Sequence, residues 1–307
     1  DEREPNKIRR TVSQMLTGSG YQEILNNSLT NPSYVDNTNG LDPEQNIHIL
    51  NKLSEELGIL RQSLIFGGLE SIAHNINRRY PNLKFFEFGK CYFDQSKKYI
   101  EKQQLALFIT GKTSEENWLK TVESASFYDL SSEVRKILGK FNFDVTESRP
   151  TDKEYYNYGL DILHNNNLIC SLGKLSENTT SQCGVKQEVF YAEFNWEYLI
   201  SKYQISIEYK PIPKFPEVKR DLSLILDKSV TFEEVRKLAL QTERKLLKRL
   251  DVFSVYEGEK IGTEKKSYAI SFILQDLSKT LTDKQIDKTM NQLIRAFEEK
   301  IGAIIRK

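Results

Sequence analysis

The sequence predicts an α+β protein in which an antiparallel sheet with helices on one side is followed by a smaller βαββαβ domain. Strand-like segments dominate residues 1–209, without the regular strand–helix alternation of a parallel sheet. Residues 210–216 contain three prolines, which is typical of a stiff, extended linker. Beyond them, strand and helix periodicities follow the order of a ferredoxin-like fold. We therefore expect two domains, residues 1–209 and residues 210–307.

Composition excludes several classes of protein. The chain has 307 residues, of which 38% are hydrophobic and 28% charged, as in an ordinary globular protein. No apolar run approaches the roughly 20 residues of a membrane span. The three cysteines lie far apart, without the spacing of a zinc site or a disulfide framework, which favours a cytoplasmic protein. The first residues, DEREP, contain neither an initiator Met nor a signal peptide, and indicate a piece of a longer chain.

In the first domain, apolar residues at helical spacing predict helices over residues 5–19, 63–79 and 127–141. Residues 31–32 and 37–40 are rich in Asn, Pro and Gly and are predicted as loops. Gly67-Gly68 lacks the lysine of a phosphate-binding loop, so we interpret it as a turn or a close packing contact. Alternating or continuous apolar segments predict the strands, at residues 21–25, 83–93, 105–110, 158–164, 168–172 and 189–194.

The second domain has clearer signals. Thr231 followed by Glu234 forms a capping-box pattern at the start of one helix, and Thr282-Asp283 precedes another that continues to Lys300. The strands are predicted over residues 221–226, 250–256, 268–274 and 303–305. This domain holds 21 Lys and Arg against 15 Asp and Glu, whereas residues 1–209 hold 23 against 28. The excess of positive charge indicates a polyanionic partner for the second domain, although a solvated lysine-rich surface would have the same composition.

The helices should cover one face of the second sheet and leave the other open. Alternation then places polar side chains and Tyr256 on the open face, with cations at the strand ends. Such a surface suits single-stranded RNA, because bases stack on an aromatic ring while Lys and Arg hold phosphates. The predicted RNA-binding residues are Lys219, Arg220, Ser223, Ser254, Tyr256, Lys266, Ser271 and Arg306.

Several motifs resemble a known family. The segment KFPEVKRDL at residues 214–222, KS at 266–267 and TLTD at 280–283 resemble the ferredoxin-fold anticodon-binding domain of phenylalanyl-tRNA synthetase beta chains. The runs LSEELGILRQSL at 53–64, NINRR at 75–79 and FEFGK at 86–90 resemble the class II synthetase-like core of the same chains. The resemblance covers nearly all of the sequence.

The resemblance implies a catalytically degenerate class II core, so we expect no catalytic residue and no metal site. Asn27, Phe93 and the segment 186–203, which has no Arg, stand where the class II motifs carry a Pro and two Arg residues. ATP needs such fixed cations for its phosphates. We interpret Arg61 and Lys90, the remaining cations nearby, as structural. ATP and Mg²⁺ are expected in the full alpha–beta enzyme and not as cofactors of this fragment.

The resemblance also implies the partners. They are the synthetase alpha subunit, in an (αβ)2 heterotetramer, and tRNA-Phe, while the upstream editing domains of the family are absent here. The first helix and strand resemble the class II dimerisation element, which gives the predicted subunit interface Ile8, Val12, Met15, Tyr21 and Ile24. The same residues could instead belong to the domain's own core. Two other functions stay open: a free-standing RNA-binding module, and a divergent active ligase core.

Overall fold

The computed structural model describes residues 5–51, 54–114, 118–119, 121–143, 147–203, 209 and 211–306. The chain divides into two compact units, Asp1–Ile207 and Glu208–Lys307. Within the described residues, no helix is long and apolar enough to cross a bilayer. The cysteines Cys91, Cys170 and Cys183 are free.

The first unit combines helices with a large sheet. Its described α-helices are α1 (Pro5–Gly18), α2 (Pro32–Asp36), α3 (Ile65–Ile76), α4 (Phe127–Lys140), α5 (Glu177–Ser181) and α6 (Trp196–Lys202), with 3-10 turns at Pro43–Gln45 and Glu55–Leu57. Its strands are β1 (Gln22–Glu23), β2 (Leu29–Thr30), β3 (Ile47–His48), β4 (Ile59–Leu60), β5 (Leu83–Gln95), β6 (Lys98–Thr110), β7 (Glu147–Pro150), β8 (Tyr156–His164), β9 (Asn167–Leu175) and β10 (Val189–Asn195).

Seven of these strands form one sheet in the order β1-β5-β6-β10-β9-β8-β7. All neighbours are antiparallel except β1 and β5, which run parallel, so the expected antiparallel sheet is present. Strands β2, β4 and β3 form a small separate sheet. Strand β1 lies at an edge of the large sheet.

The expectation that helices lie on one side of this sheet is wrong. Helices α1, α4 and α6 pack on one face, around Phe86 and Phe194. Helix α3 packs on the other face, against Phe85, Phe108 and Tyr191. Strands β5, β6 and β10 carry apolar side chains at consecutive positions, so both faces of the sheet must be covered.

Gly68 shows how closely α3 approaches the sheet. A Cβ atom at this position would lie 2.1 Å from Cζ of the buried Phe108. This distance confirms the interpretation of Gly68 as a close packing contact. Both glycines lie inside α3, so the interpretation of the pair as a turn is wrong.

Short elements of the first unit were missed by the sequence analysis. Residues 31–32, predicted as loop, begin α2: the Asn31 side chain accepts a hydrogen bond from Ser33 N, and Pro32 is the first helical residue. Strand β7 and helices α5 and α6 were not predicted. The helices have five and seven residues, too few for a helical period to be visible.

The second unit is a four-stranded antiparallel sheet covered on one face by two helices. Its strands are β11 (Val218–Asp227), β12 (Leu247–Tyr256), β13 (Lys265–Leu274) and β14 (Ile304–Arg306), its helices are α7 (Phe232–Thr242) and α8 (Asp283–Ile301), and a 3-10 turn lies at Glu259–Ile261. The strand order β12-β13-β11-β14 is that of a ferredoxin-like fold. Thr231 and Glu234 form the expected capping box.

The helices pack on the side of the sheet that alternation predicts. Leu224, Ile270 and Phe272 are buried together with Leu293 and Phe297 of α8. Because successive side chains of a strand point to opposite faces, the residues of β11 and β13 that alternate with these core positions, such as Ser223 and Ala269, lie on the other face. We call this second face the open face.

Candidate nucleic-acid interface

The pairing of the strands places the predicted Ser and Tyr residues of β11 and β12 on the open face. Ser223 pairs with Ala269, which in turn pairs with Ser254 on the next strand. Tyr256 pairs with Ser267 in the following row. Directly paired residues of antiparallel strands share a face, so Ser223, Ser254 and Tyr256 all lie opposite the helices.

A bulge in β12 is responsible for the position of Tyr256. Leu250 is buried under the helices, and an unbroken two-residue alternation would put Tyr256 on the same side. The register shifts between Val252 and Ser254, where Phe253 is the additional residue. After this shift, Ser254 and Tyr256 point to the open face, and Tyr256 is 44% exposed.

Phe253 is an aromatic residue of this surface that the sequence analysis missed. Its ring is 59% exposed, and Lys219 Nζ lies 5.5 Å from the ring centroid, within the range of a cation–π contact. The adjacent apolar residues Val252 and Phe253 were the available signal, since neighbouring apolar positions interrupt a two-residue alternation. An aromatic pair, Phe253 and Tyr256, therefore occupies the exposed end of β12.

The cations of the open face are fewer than predicted. Arg306 pairs with Ser223 and Lys219 with Ile273, which places both cations on this face. Asp221 also lies there, with its carboxylate 3.7 Å from Lys219 Nζ. Ser271 shares the face, but it is only 4% exposed and its hydroxyl donates to Asp221 Oδ1 at 2.7 Å.

Arg220 and Lys266 lie on the helix side, which argues against their predicted contact with RNA on the open face. Arg220 Nη2 lies 4.0 Å from Asp283 Oδ1 at the start of α8. Lys266 is 9% exposed, and its ammonium donates to the Lys228 carbonyl at 2.8 Å. Both residues have the same strand parity as the buried core positions, which proximity to the strand ends did not reveal.

A row of polar residues crosses the large sheet of the first unit, on the face that α3 partly covers. Three of its members are carboxylates, and two of these, Glu87 and Asp161, are fully buried. Each residue pairs with the next across adjacent strands, in the order Glu87, Ala106, Glu193, Ser171, Asp161 and Arg149. Such buried carboxylates need specific partners.

Arg61 is the partner of Glu87. Its Nη1 lies 2.8 Å from Glu87 Oε1, and both side chains are at least 95% buried. Arg61 Nε also donates to the Lys90 carbonyl at 3.0 Å, and the Asn26 amide donates to Glu87 Oε2 at 2.8 Å. A Cβ at Gly89 would lie 2.4 Å from Arg61 Nη2, so the guanidinium needs glycine at that position.

The other two carboxylates are held differently. Ser171 Oγ donates to Asp161 Oδ1 at 2.8 Å and accepts from Lys153 Nζ at 2.8 Å. Glu193 accepts from Ser63 Oγ at 3.3 Å and from the side-chain amide of Gln104. Burial raises the pKa of Glu193, and the charge of Lys153 offsets only part of this increase.

This arrangement does not fit an ATP triphosphate. The Arg61 guanidinium is already bound to Glu87, and Lys90 pairs with Glu101 at 2.6 Å on the surface. The middle of the sheet presents Glu193, a carboxylate that would repel phosphate. Among the described residues, no group of three or more His, Cys, Asp or Glu side chains could hold a metal ion.

The predicted interface residues belong largely to the unit's own core. Ile8, Val12 and Tyr21 are 5%, 0% and 2% exposed and pack within the cluster around Phe86. For these three residues the alternative assignment to the core therefore fits the structure, and they have little surface left for a partner. Met15 and Ile24 are partly buried. Leu25, which the sequence analysis did not select, is 87% exposed directly after β1.

Each of the two units matches a known protein family model. Residues 1–196 match the family model of the phenylalanyl tRNA synthetase beta chain CLM domain, and residues 213–306 match that of the ferredoxin-fold anticodon binding domain. The chain belongs to the phenylalanyl-tRNA synthetase beta chain family. The resemblance found in the sequence is thereby confirmed, together with the predicted fold class.

Relatives within this family are phenylalanine–tRNA ligase beta subunits. Those of Bacteroides fragilis and Porphyromonas gingivalis are 42% and 37% identical over 98% of this chain, and that of Bacillus subtilis is 28% identical over 97%. The chain spans 38% of the length of the first two and 37% of the third.

Replacing Glu193 by Gln tests the polar row of this beta chain. A carboxyl whose pKa is raised by folding binds more protons in the folded state, so it lowers stability as pH rises through that pKa. Glu193→Gln should therefore raise the melting temperature above that of the wild type at pH 7–8. The gain should shrink towards pH 3, which lies below the ordinary glutamate pKa of about 4.3, because Glu193 is then protonated in both states.

The exposed Glu44 is a matched control. Glu44→Gln should change the melting temperature little at any pH. A Glu193→Gln protein that is less stable than the wild type across the whole pH range would contradict the argument, because it would show a carboxylate that stabilises the fold in its ionised form.

Proposed function

We propose that this chain is the C-terminal part of the beta subunit of a cytoplasmic phenylalanine–tRNA ligase. Its first unit is a non-catalytic core that scaffolds the alpha subunit within an (αβ)2 assembly. Its second unit holds the anticodon end of tRNA-Phe while the complete enzyme, with ATP and Mg²⁺, carries out aminoacylation. The alpha subunit contributes the catalytic residues.

The observation that carries the RNA-binding part is the exposed aromatic pair Phe253 and Tyr256. The bases of single-stranded RNA stack on such rings, and each stacked base contributes about 1–3 kcal/mol of binding free energy. Lys219 and Arg306 on the same face attract the phosphates, while the Ser223 and Ser254 hydroxyls offer hydrogen bonds. The open face therefore supplies each kind of contact that single-stranded RNA requires.

The scaffold part is supported by what the core lacks. Two cations beside the polar row, Arg61 and Lys153, are committed to Glu87 and Ser171 by hydrogen bonds of 2.8 Å. Neither cation is available for a nucleotide. A class II fold without a phosphate clamp is most useful as a partner for an active subunit.

The interface with the alpha subunit should involve the exposed side of α1 and β1. Strand β1 is at the edge of the sheet, so its outer backbone groups can pair with a strand of another chain. Leu25 places a fully apolar side chain beside this edge, and Met15 and Ile24 retain part of their surface. These residues replace Ile8, Val12 and Tyr21 as the proposed contacts.

Titration with tRNA tests the role of the open face. The whole chain is titrated with tRNA-Phe and with a non-cognate tRNA, with and without alpha subunit, at two salt concentrations. Binding should favour tRNA-Phe, weaken with salt and tighten with the alpha subunit. Phe253→Ala and Tyr256→Ala should each lower affinity by about 1–3 kcal/mol, because each removes a stacking surface.

Tyr99→Ala is the matched control, since it removes a 69% exposed tyrosine from the first unit. It should leave the affinity for tRNA unchanged. Equal affinity of the wild type, Phe253→Ala and Tyr256→Ala proteins would contradict the proposal, as would RNA binding that does not depend on salt.

Two leucines distinguish interface from core in the first unit. Leu25→Glu should weaken association with the alpha subunit at least tenfold without changing the melting temperature, because Leu25 is exposed. Leu16→Ala should instead destabilise the chain by about 2–5 kcal/mol, because Leu16 is 1% exposed within the core. Sedimentation with purified alpha subunit and thermal unfolding measure the two effects. Normal association of the Leu25→Glu chain would exclude this edge from the interface.

A further inference from the structure

A groove on the first unit has a basic lining that the proposed roles of the open face and of the exposed side of β1 do not explain. It has a volume of about 820 Å³ and lies between Gly20 and Gln22 at the start of β1, the end of α3, the start of β5 and the residues that follow β6. Three basic residues line it, and none of the described lining residues is an Asp or Glu. The residues that matter for its chemistry are Asn75, Arg79, Tyr80, Asn82, Lys84 and Lys112.

The walls of the groove are fixed by hydrogen bonds that backbone amides donate. Tyr80 N donates to the Asn75 carbonyl at 3.1 Å, and Lys112 N donates to Asn82 Oδ1 at 2.8 Å. Gly111 has a φ of +79°, and a Cβ there would lie 2.4 Å from the Pro81 carbonyl oxygen. The turn after β6 can approach residue 81 closely because residue 111 is glycine. A preformed site of this kind binds without a large cost of ordering.

The basic lining contrasts with the charge of its surroundings. Residues 1–209 contain five more acidic than basic residues, whereas the described lining of the groove has three basic residues and no acidic one. Within the described part of the chain, Arg79 and Lys84 form no ion pair. Arg79 is exposed at the end of α3, and Lys84 Nζ lies 6.0 Å from the Tyr21 ring. Their charges are therefore available to an anion.

We propose that this groove binds the phosphate backbone of RNA, as a second contact independent of the open face. The guanidinium of Arg79 can bind a phosphate through two hydrogen bonds, and Lys84 adds a second positive charge. Tyr80 is 66% exposed beside them and offers a ring on which a base or ribose can stack. The side-chain amides of Asn75 and Asn82 are held by Ser71 O and Lys112 N, so they shape the groove. An exposed ring beside two cations matches the alternation of base and phosphate along an RNA strand, so the lining favours RNA.

Paired substitutions in the whole chain test the groove. Arg79→Gln with Lys84→Gln should lower the affinity for tRNA-Phe about 5–20-fold at low salt. The slope of log K against log salt should become shallower by about 1–2, because two phosphate contacts are lost. Arg135→Gln with Lys140→Gln removes the same charge from exposed positions on α4 and should change affinity less than twofold.

Photocrosslinking of tRNA-Phe containing 4-thiouridine identifies which surface the RNA contacts. Crosslinks to the peptide with Tyr80 in the wild type, and their loss in the Arg79→Gln, Lys84→Gln chain, are the expected result. Crosslinks confined to residues 208–307 would exclude the groove as an RNA contact and support the open face. Crosslinks at Tyr80 alone would support the groove and exclude the open face. ATP binding that depends on Arg79 and Lys84 and is tighter than RNA binding would also overturn it, by indicating a small phosphate ligand. If the Arg79→Gln, Lys84→Gln chain lost no more affinity than the α4 control, the effect would be one of net charge, and this would also contradict the proposal.

Discussion

The buried ion pair between Arg61 and Glu87 determines what the first unit can do. It joins the segment after β4 to the centre of β5, and Asn26 ties the segment after β1 to the same carboxylate. Removing one partner of such a pair leaves an uncompensated buried charge, which costs about 3–5 kcal/mol. The pair therefore holds these segments together and, at the same time, leaves the Arg61 guanidinium, which lies beside the polar row, without a role as a phosphate clamp. A synthetase-like core organised in this way keeps its shape without a nucleotide-binding cation.

In the second unit the decisive feature is geometric. The bulge at Phe253 reverses the end of β12, so that two aromatic rings face solvent while Leu250 stays in the core. Without the extra residue, Tyr256 would compete with the helices for space. The ferredoxin-like fold thus supplies a half-covered sheet, and one local irregularity places two aromatic rings on its uncovered face.

Much of the fold was predictable because its signals are local. Capping residues, proline and period-2 alternation were sufficient for the two helices and four strands of the second unit, and the apolar periods of α1, α3 and α4 for the longer helices of the first. The side on which Arg220 and Lys266 lie was also available from sequence, because they share the strand parity of the buried Leu224 and Ile270, but their position near strand ends was given more weight. The burial of Ile8 and Val12 required tertiary information, because it depends on α1 packing against its own sheet. A second layer on the large sheet, contributed by α3, is visible in sequence only as strands that are apolar at consecutive positions.

The central claim is that RNA lies on the open face of the second unit, opposite α7 and α8. Hydrogen exchange of the whole chain with and without tRNA-Phe tests it most directly. We expect slower exchange for the amides of β12 near Phe253 and Tyr256 and of β14 near Arg306, with α7 and α8 unchanged. Protection confined to the two helices, or no change on any strand of this sheet in the presence of bound tRNA, would contradict it.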